Sequence, residues 1–171
     1  MNITDRKDLP WPWTSTDVLL LQATDTFGNA REIAREVMRR MKPGVSLVSG
    51  PITTGGRGSR EENTRVFRES INRLQLAGVN VFNQVPAESE DTMGRLADAW
   101  MKRNRGYSYP MGILWDFYSG LIADRHVEGM IFIPGWYEST GSRWEHEHCV
   151  RLNKKIVYLN DDWAKSFVVA A

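Results

Sequence analysis

The run Gly129-Met130-Ile131-Phe132-Ile133, stopped by Pro134-Gly135, constrains this fold more than any other segment. Five apolar residues without alternation are of strand length and read as a buried strand, and a Pro-Gly pair ends it as a turn signal. From Ser142 onward the spacing turns helical. The residues between, Trp136-Tyr137-Glu138-Ser139-Thr140-Gly141, therefore supply hydroxyls and backbone N–H groups where a helix dipole favours an anion. Glu145 follows one turn into that helix, the layout of a sugar or phosphate site.

The rest of the chain repeats the alternation. Val45 to Ser49 is a strand candidate ending at Gly50-Pro51, followed by the loop Thr53-Thr54-Gly55-Gly56-Arg57-Gly58-Ser59. A helix from about Glu61 to Ala77 carries Val66, Phe67, Ile71 and Leu74 on one stripe, and Gly78 separates it from a strand at Val79 to Asn83, making one βαβ unit. Met93, Leu96, Ala97, Trp100 and Met101 mark another helix. Leu114, Phe117, Tyr118, Leu121 and Ile122 mark a third at i, i+3, i+4, i+7, i+8, and a last strand falls at 155–159. This alternation predicts an α/β fold, a three-layer, Rossmann- or flavodoxin-like, mostly parallel sheet of about five strands. Helices cover both faces, with the ligand crevice at the carboxyl ends of the strands.

Residues 1–44 read as an N-terminal arm and helical extension, and 45–171 as the α/β domain, a single compact unit. From Asp8 to Trp13 the sequence Pro10-Trp11-Pro12-Trp13 favours an extended arm with two exposed tryptophans, packed back on its own domain or against a subunit. Val18 to Leu21 suits a buried strand or, slightly better, a helix opened by Ser15 or Thr16. Ile33, Val37, Met38 and Met41 keep helical spacing until Pro43-Gly44.

A chain of 171 residues can bury roughly two thirds of its surface without staples. The net charge of +1, with Lys and Arg scattered, argues against polymeric nucleic acid as a partner. The lone Cys149 makes no internal disulfide, and neither a signal peptide nor an apolar run near 18 residues is present. The expectation is a soluble, cytoplasmic protein.

Polar residues collect at the carboxyl ends of the strands in the segments Gly50 to Arg57, Asn83-Gln84 and Trp136 to Glu145, and the candidate site residues there are Gly50, Pro51, Ile52, Arg57, Asn83, Gln84, Trp136, Ser139, Gly141, Ser142 and Glu145. Gly135-Trp136, Ser139, Gly141 and Glu145, followed by Asn153-Lys154-Lys155-Ile156, resemble the nucleoside 2-deoxyribosyltransferase-like superfamily of deoxyribosyltransferases and nucleoside 5′-monophosphate N-glycosidases. Ser49-Gly50-Pro51-Ile52, Asn63, Phe67, Leu74, Gly78 and Val81-Phe82-Asn83 are similar to its first strand, first helix and second strand. The match spans roughly residues 45–160.

The resemblance implies cleavage of the N-glycosidic bond of a nucleoside or (deoxy)nucleoside 5′-monophosphate, by hydrolysis or base transfer, with Glu145 as nucleophile. Such chemistry needs a carboxylate at an oxocarbenium-like carbon and a route to protonate or polarise the leaving base. Asp116 resembles the family's second acid, with Asp124 as rival. The other candidate residues named above line the substrate, no metal or organic cofactor is required, and a homodimer or larger assembly completes the site. Many members carry a tyrosine where this chain has Leu47, so another hydroxyl must steady the nucleophile or activity is reduced. The alternative is a non-catalytic nucleotide-binding or sensing module using the same pocket.

Each reading has a plainer competitor. Ser142-x-x-Glu145 has the form of a capping box. Asp116 lies opposite an apolar stripe, as a solvated residue would. Trp136 suits a stacking face or a packed wall, and Arg57 a phosphate partner or a solvated loop side chain. Glu145-His146-Glu147-His148-Cys149 concentrates ligand types, but histidines two apart point to different sides of a helix, so no metal site is expected.

Overall fold

The computed structural model describes residues 9–53 and 55–165. Asp8 and Thr54 lie outside the described residues. Helices α1 (Ser15–Ala23) and α2 (Phe27–Met38) lead to strand β1 (Val45–Ser49), then α3 (Arg60–Leu76), α4 (Arg95–Arg103), α5 (Ser119–Ala123), strand β2 (Val127–Phe132), α6 (Thr140–Arg151), strand β3 (Lys155–Tyr158) and α7 (Asp161–Lys165). The chain forms two compact units. Among the described residues one takes 9–41 with Asn83–Leu121, the other Lys42–Phe82 with 122–165.

The second unit holds a parallel sheet of order β1-β2-β3. Leu47, Val48, Met130, Ile131 and Phe132 are buried, as uninterrupted apolar runs in a parallel sheet should be. The mixed α/β class is as expected. The five-strand sheet is not: the described residues form three strands. Val79 to Asn83 shrinks to one parallel bridge, Ser46 to Val81. Two of its carbonyls are spoken for, because the Gln75 amide donates to the Val81 carbonyl at 2.9 Å and the Trp13 indole N–H to the Asn83 carbonyl at 2.7 Å. Helix α3 is capped by Ser59, whose hydroxyl accepts from the Glu62 N–H, and it buries Val66, Phe67, Ile71 and Leu74 as its stripe predicts.

In the first unit, Val18 to Leu21 is helical. The cap is Thr14, one residue before Ser15 and two before Thr16, the expected openers, and it forms a capping box with Asp17. The Pro-Trp segment is not an extended arm with two exposed tryptophans. The Trp13 N–H bonds back to the Pro10 carbonyl and Trp13 is buried, whereas Trp11 stays 64% exposed. Leu114, Phe117, Tyr118, Leu121 and Ile122 are all buried, but the expected α-helix is a π-helical segment, Ile113–Tyr118, before it becomes α5. There the Arg31 guanidinium donates to the Asp116 carbonyl. Among the described residues no helix is long and apolar enough to cross a membrane.

Arg40 grips the buried Asp17 carboxylate with both terminal nitrogens, at 2.6 and 2.8 Å. The Arg40 hydrogen bonds, opposed by burial and aided by Thr14, hold this carboxyl at about 2 against an ordinary 3.8. A depressed carboxyl stabilises the fold above its unfolded pKa and loses that contribution as pH falls through the folded one. Because the Arg40 side chain is 40% exposed, solvent screening holds the contribution to about 1 kcal/mol. Urea titrations at pH 6 and pH 2 should show the wild type losing about that much more stability than Asp17→Asn over the interval.

Candidate functional site

Helix α6 begins earlier than expected, at Thr140, and its N-cap is Ser139, whose hydroxyl accepts from the Ser142 N–H at 3.3 Å. This overturns the Ser142-x-x-Glu145 capping box. Glu145 sits six residues past the true cap, out of reach of the backbone N–H groups that a capping glutamate serves. Gly135, at φ +84°, lets the chain leave β2 and enter the short 3-10 turn Trp136–Glu138 that delivers Ser139.

With no capping duty, the Glu145 carboxylate turns toward the sheet. It is 7% exposed and accepts a hydrogen bond of 2.5 Å from the hydroxyl of Ser49, the last residue of β1. Ser49 pairs in register with Phe132, the last residue of β2. The contact therefore lies at the carboxyl ends of two adjacent parallel strands. Leu47, where the resemblance expects a hydroxyl, is fully buried in the core, and Ser49 supplies the hydroxyl two residues later. One turn on from Glu145, burial first and the Glu145 charge second push the Cys149 thiol up to about 12, so it is a packed, protonated side chain.

Gly50 is small for a packing reason, since a Cβ there would come within 2.3 Å of the Ile133 side chain. Pro51 is buried, Ile52 half-buried and Arg57 exposed. Asn63, buried on α3, organises this loop: its amide donates to the Ile52 and Gly55 carbonyls and its oxygen accepts from the Arg57 N–H. The Gly56 N–H donates to the Glu138 carboxylate at 2.9 Å, tying the loop to the turn before α6. A small hollow here is walled by Pro51, Gly56, Arg57, Asn63, Ser70 and Pro134, and Glu145 is not part of its lining.

Trp136 packs as a wall. It stacks on His146 at 4.6 Å and on Tyr158 at 5.7 Å and tilts against Phe132, and the His146 ring bonds the Tyr158 hydroxyl at 2.5 Å. His148 instead stacks on Trp144. Ser142 is buried and Gly141 half-buried in the first turn of α6.

Asp124 lies just before the amino end of β2, where it accepts from the His126 N–H while Lys154 binds its carbonyl. Six strand residues at about 3.3 Å each separate that end from the one bearing α6, roughly 20 Å. Asp116 is exposed on the π-helical segment of the first unit. Asn83 and Gln84, also there, are buried. The Asn83 side chain accepts from the Val85 N–H, and the Gln84 amide donates to the Tyr118 hydroxyl.

Sequence reasoning gave Ser49, Asn63, Glu138 and Tyr158 no role in the site. A polar residue closing the apolar strand Val45–Ser49 was the available signal for Ser49. Glu138 and Tyr158 act through partners 82 and 12 residues away, which no local pattern shows. No protein-family model, curated protein or solved structure matches the chain.

Proposed function

We propose that the protein cleaves the N-glycosidic bond of a nucleoside or nucleoside 5′-monophosphate, with Glu145 as the nucleophile. The observation that supports this most is the buried Glu145 carboxylate held by the Ser49 hydroxyl at the carboxyl ends of β1 and β2, where open α/β sheets take their ligands. In this reading a Glu145 oxygen bonds to C1′ as the C1′–N bond breaks. The bonding electrons leave with the base, and water or a second base then releases the sugar. The first turn of α6, with Gly141 and Ser142 behind the Ser139 cap, takes the 5′-hydroxyl or phosphate, with Arg57 as its cationic partner.

The test is release of free base from a panel of ribo- and deoxyribonucleosides and their 5′-monophosphates, followed by chromatography. Release from at least one member is expected. Nucleotide binding by thermal shift with no release from any member would replace the enzyme with a sensing module. A hydrogen bond to a charged group is worth about 1.5–3 kcal/mol, so Ser49→Ala should slow release roughly 10- to 100-fold. An unchanged rate in that variant would remove Ser49 from the mechanism.

A further inference from the structure

The net charge of +1 averages over one strongly biased segment. From Lys102 to Met111 the chain carries three cations, Lys102, Arg103 and Arg105, and no carboxylate. All three side chains are exposed, and among the described residues none has a hydrogen bond or ion pair. Cations in a last turn complement the helix dipole, which accounts for Lys102 and Arg103 at the end of α4. It accounts neither for Arg105, beyond the helix, nor for the aromatic rings interleaved with these charges.

Trp100, Tyr107 and Trp115 form a closed triangle of edge-on contacts, with centroids 5.2, 6.4 and 5.7 Å apart and interplanar angles of 63°, 74° and 86°. Trp100 is the foundation. It lies so close over Gly112 that a Cβ there would come within 2.6 Å of its ring. Tyr107 and Trp115 remain 46% and 45% exposed, so rings fixed by their neighbours stay half open to solvent. The chain just before Tyr107 is open as well, since nothing lies within 4 Å of where a Gly106 Cβ would stand.

We infer that this surface binds single-stranded nucleic acid, with bases stacked on Tyr107 and Trp115 and phosphates held by Lys102, Arg103 and Arg105. Stacking on aromatic faces beside unpaired cations is the recognition mode of such strands, and it needs no reading of sequence. An anionic bilayer would satisfy the charges but also requires apolar chains to insert. Between Arg95 and Leu121 the exposed large hydrophobic residues are the two rings alone.

Fluorescence anisotropy of a labelled oligothymidylate of twelve nucleotides, titrated with the full chain at 50 mM salt, tests this. Saturable binding is expected, with a log–log salt slope of about −2 for three phosphate contacts on a single strand. Replacing Lys102, Arg103 and Arg105 together by alanine should weaken binding at least tenfold and flatten that slope. Tyr107→Ala and Trp115→Ala should each weaken it roughly fivefold or more while leaving the slope in place. Circular dichroism and melting of each variant check folding, and Arg105→Ala alone provides a mild exposed substitution with a partial effect. No binding at 50 mM salt, binding that all these variants retain, or charge-dependent binding to anionic vesicles but not to the oligonucleotide would each overturn the inference.

Discussion

Glu145→Gln should abolish base release, lowering the single-turnover rate by about 10³-fold or more, the scale on which loss of a covalent nucleophile acts. The substitution keeps the size and shape of the side chain, and its carbonyl oxygen can still accept the hydrogen bond that Ser49 gives the carboxylate. Folding and ligand binding should therefore survive, read as an unchanged melting temperature and a preserved nucleotide-induced shift. Loss of release together with loss of folding would mean that the buried carboxylate serves structure. Release at the wild-type rate would move the chemistry to another residue.

Gly129→Ala should destabilise the protein by about 3 kcal/mol, the upper part of the range for overpacking, measured as a fall in the urea midpoint. Gly129 pairs with Lys155 in the β2-β3 ladder, and a Cβ at this position would lie 2.1 Å from the Lys155 carbonyl oxygen and 2.8 Å from its carbonyl carbon. The obstacle is backbone, so no rotamer change relieves it and the two strands must move apart. Gly106→Ala is the control, because no atom lies within 4 Å of its added carbon. That variant should stay within about 0.5 kcal/mol of wild type. Equal midpoints for the two variants would contradict the close approach of β2 and β3.

The elements that were legible in the sequence are those whose own residues decide them. The apolar runs of β1 and β2 and the stripe on α3 needed only local patterning and burial. Val79 to Asn83 carries a similar strand pattern, yet the Gln75 and Trp13 side chains take two of its carbonyls, and contacts of that kind are set by tertiary structure. The same holds at the site. Ser139 and Ser142 are three apart and both suit a helix start, and the glutamate after Ser142 favoured the wrong one. Only the observed hydrogen bond from the Ser142 N–H to Ser139 distinguishes them. Glu145 and Ser49 each stand out in their own segments, but their pairing across 96 residues is set by tertiary structure.

The most direct measurement is a mass map of protein quenched in acid during turnover of the best substrate from the nucleoside and nucleotide panel. The peptide carrying Glu145 should gain the mass of the pentosyl or phosphopentosyl group in the wild type and not in Glu145→Gln. Base release with the adduct on another peptide, or undiminished release from Glu145→Gln, would contradict Glu145 of α6 as the nucleophile.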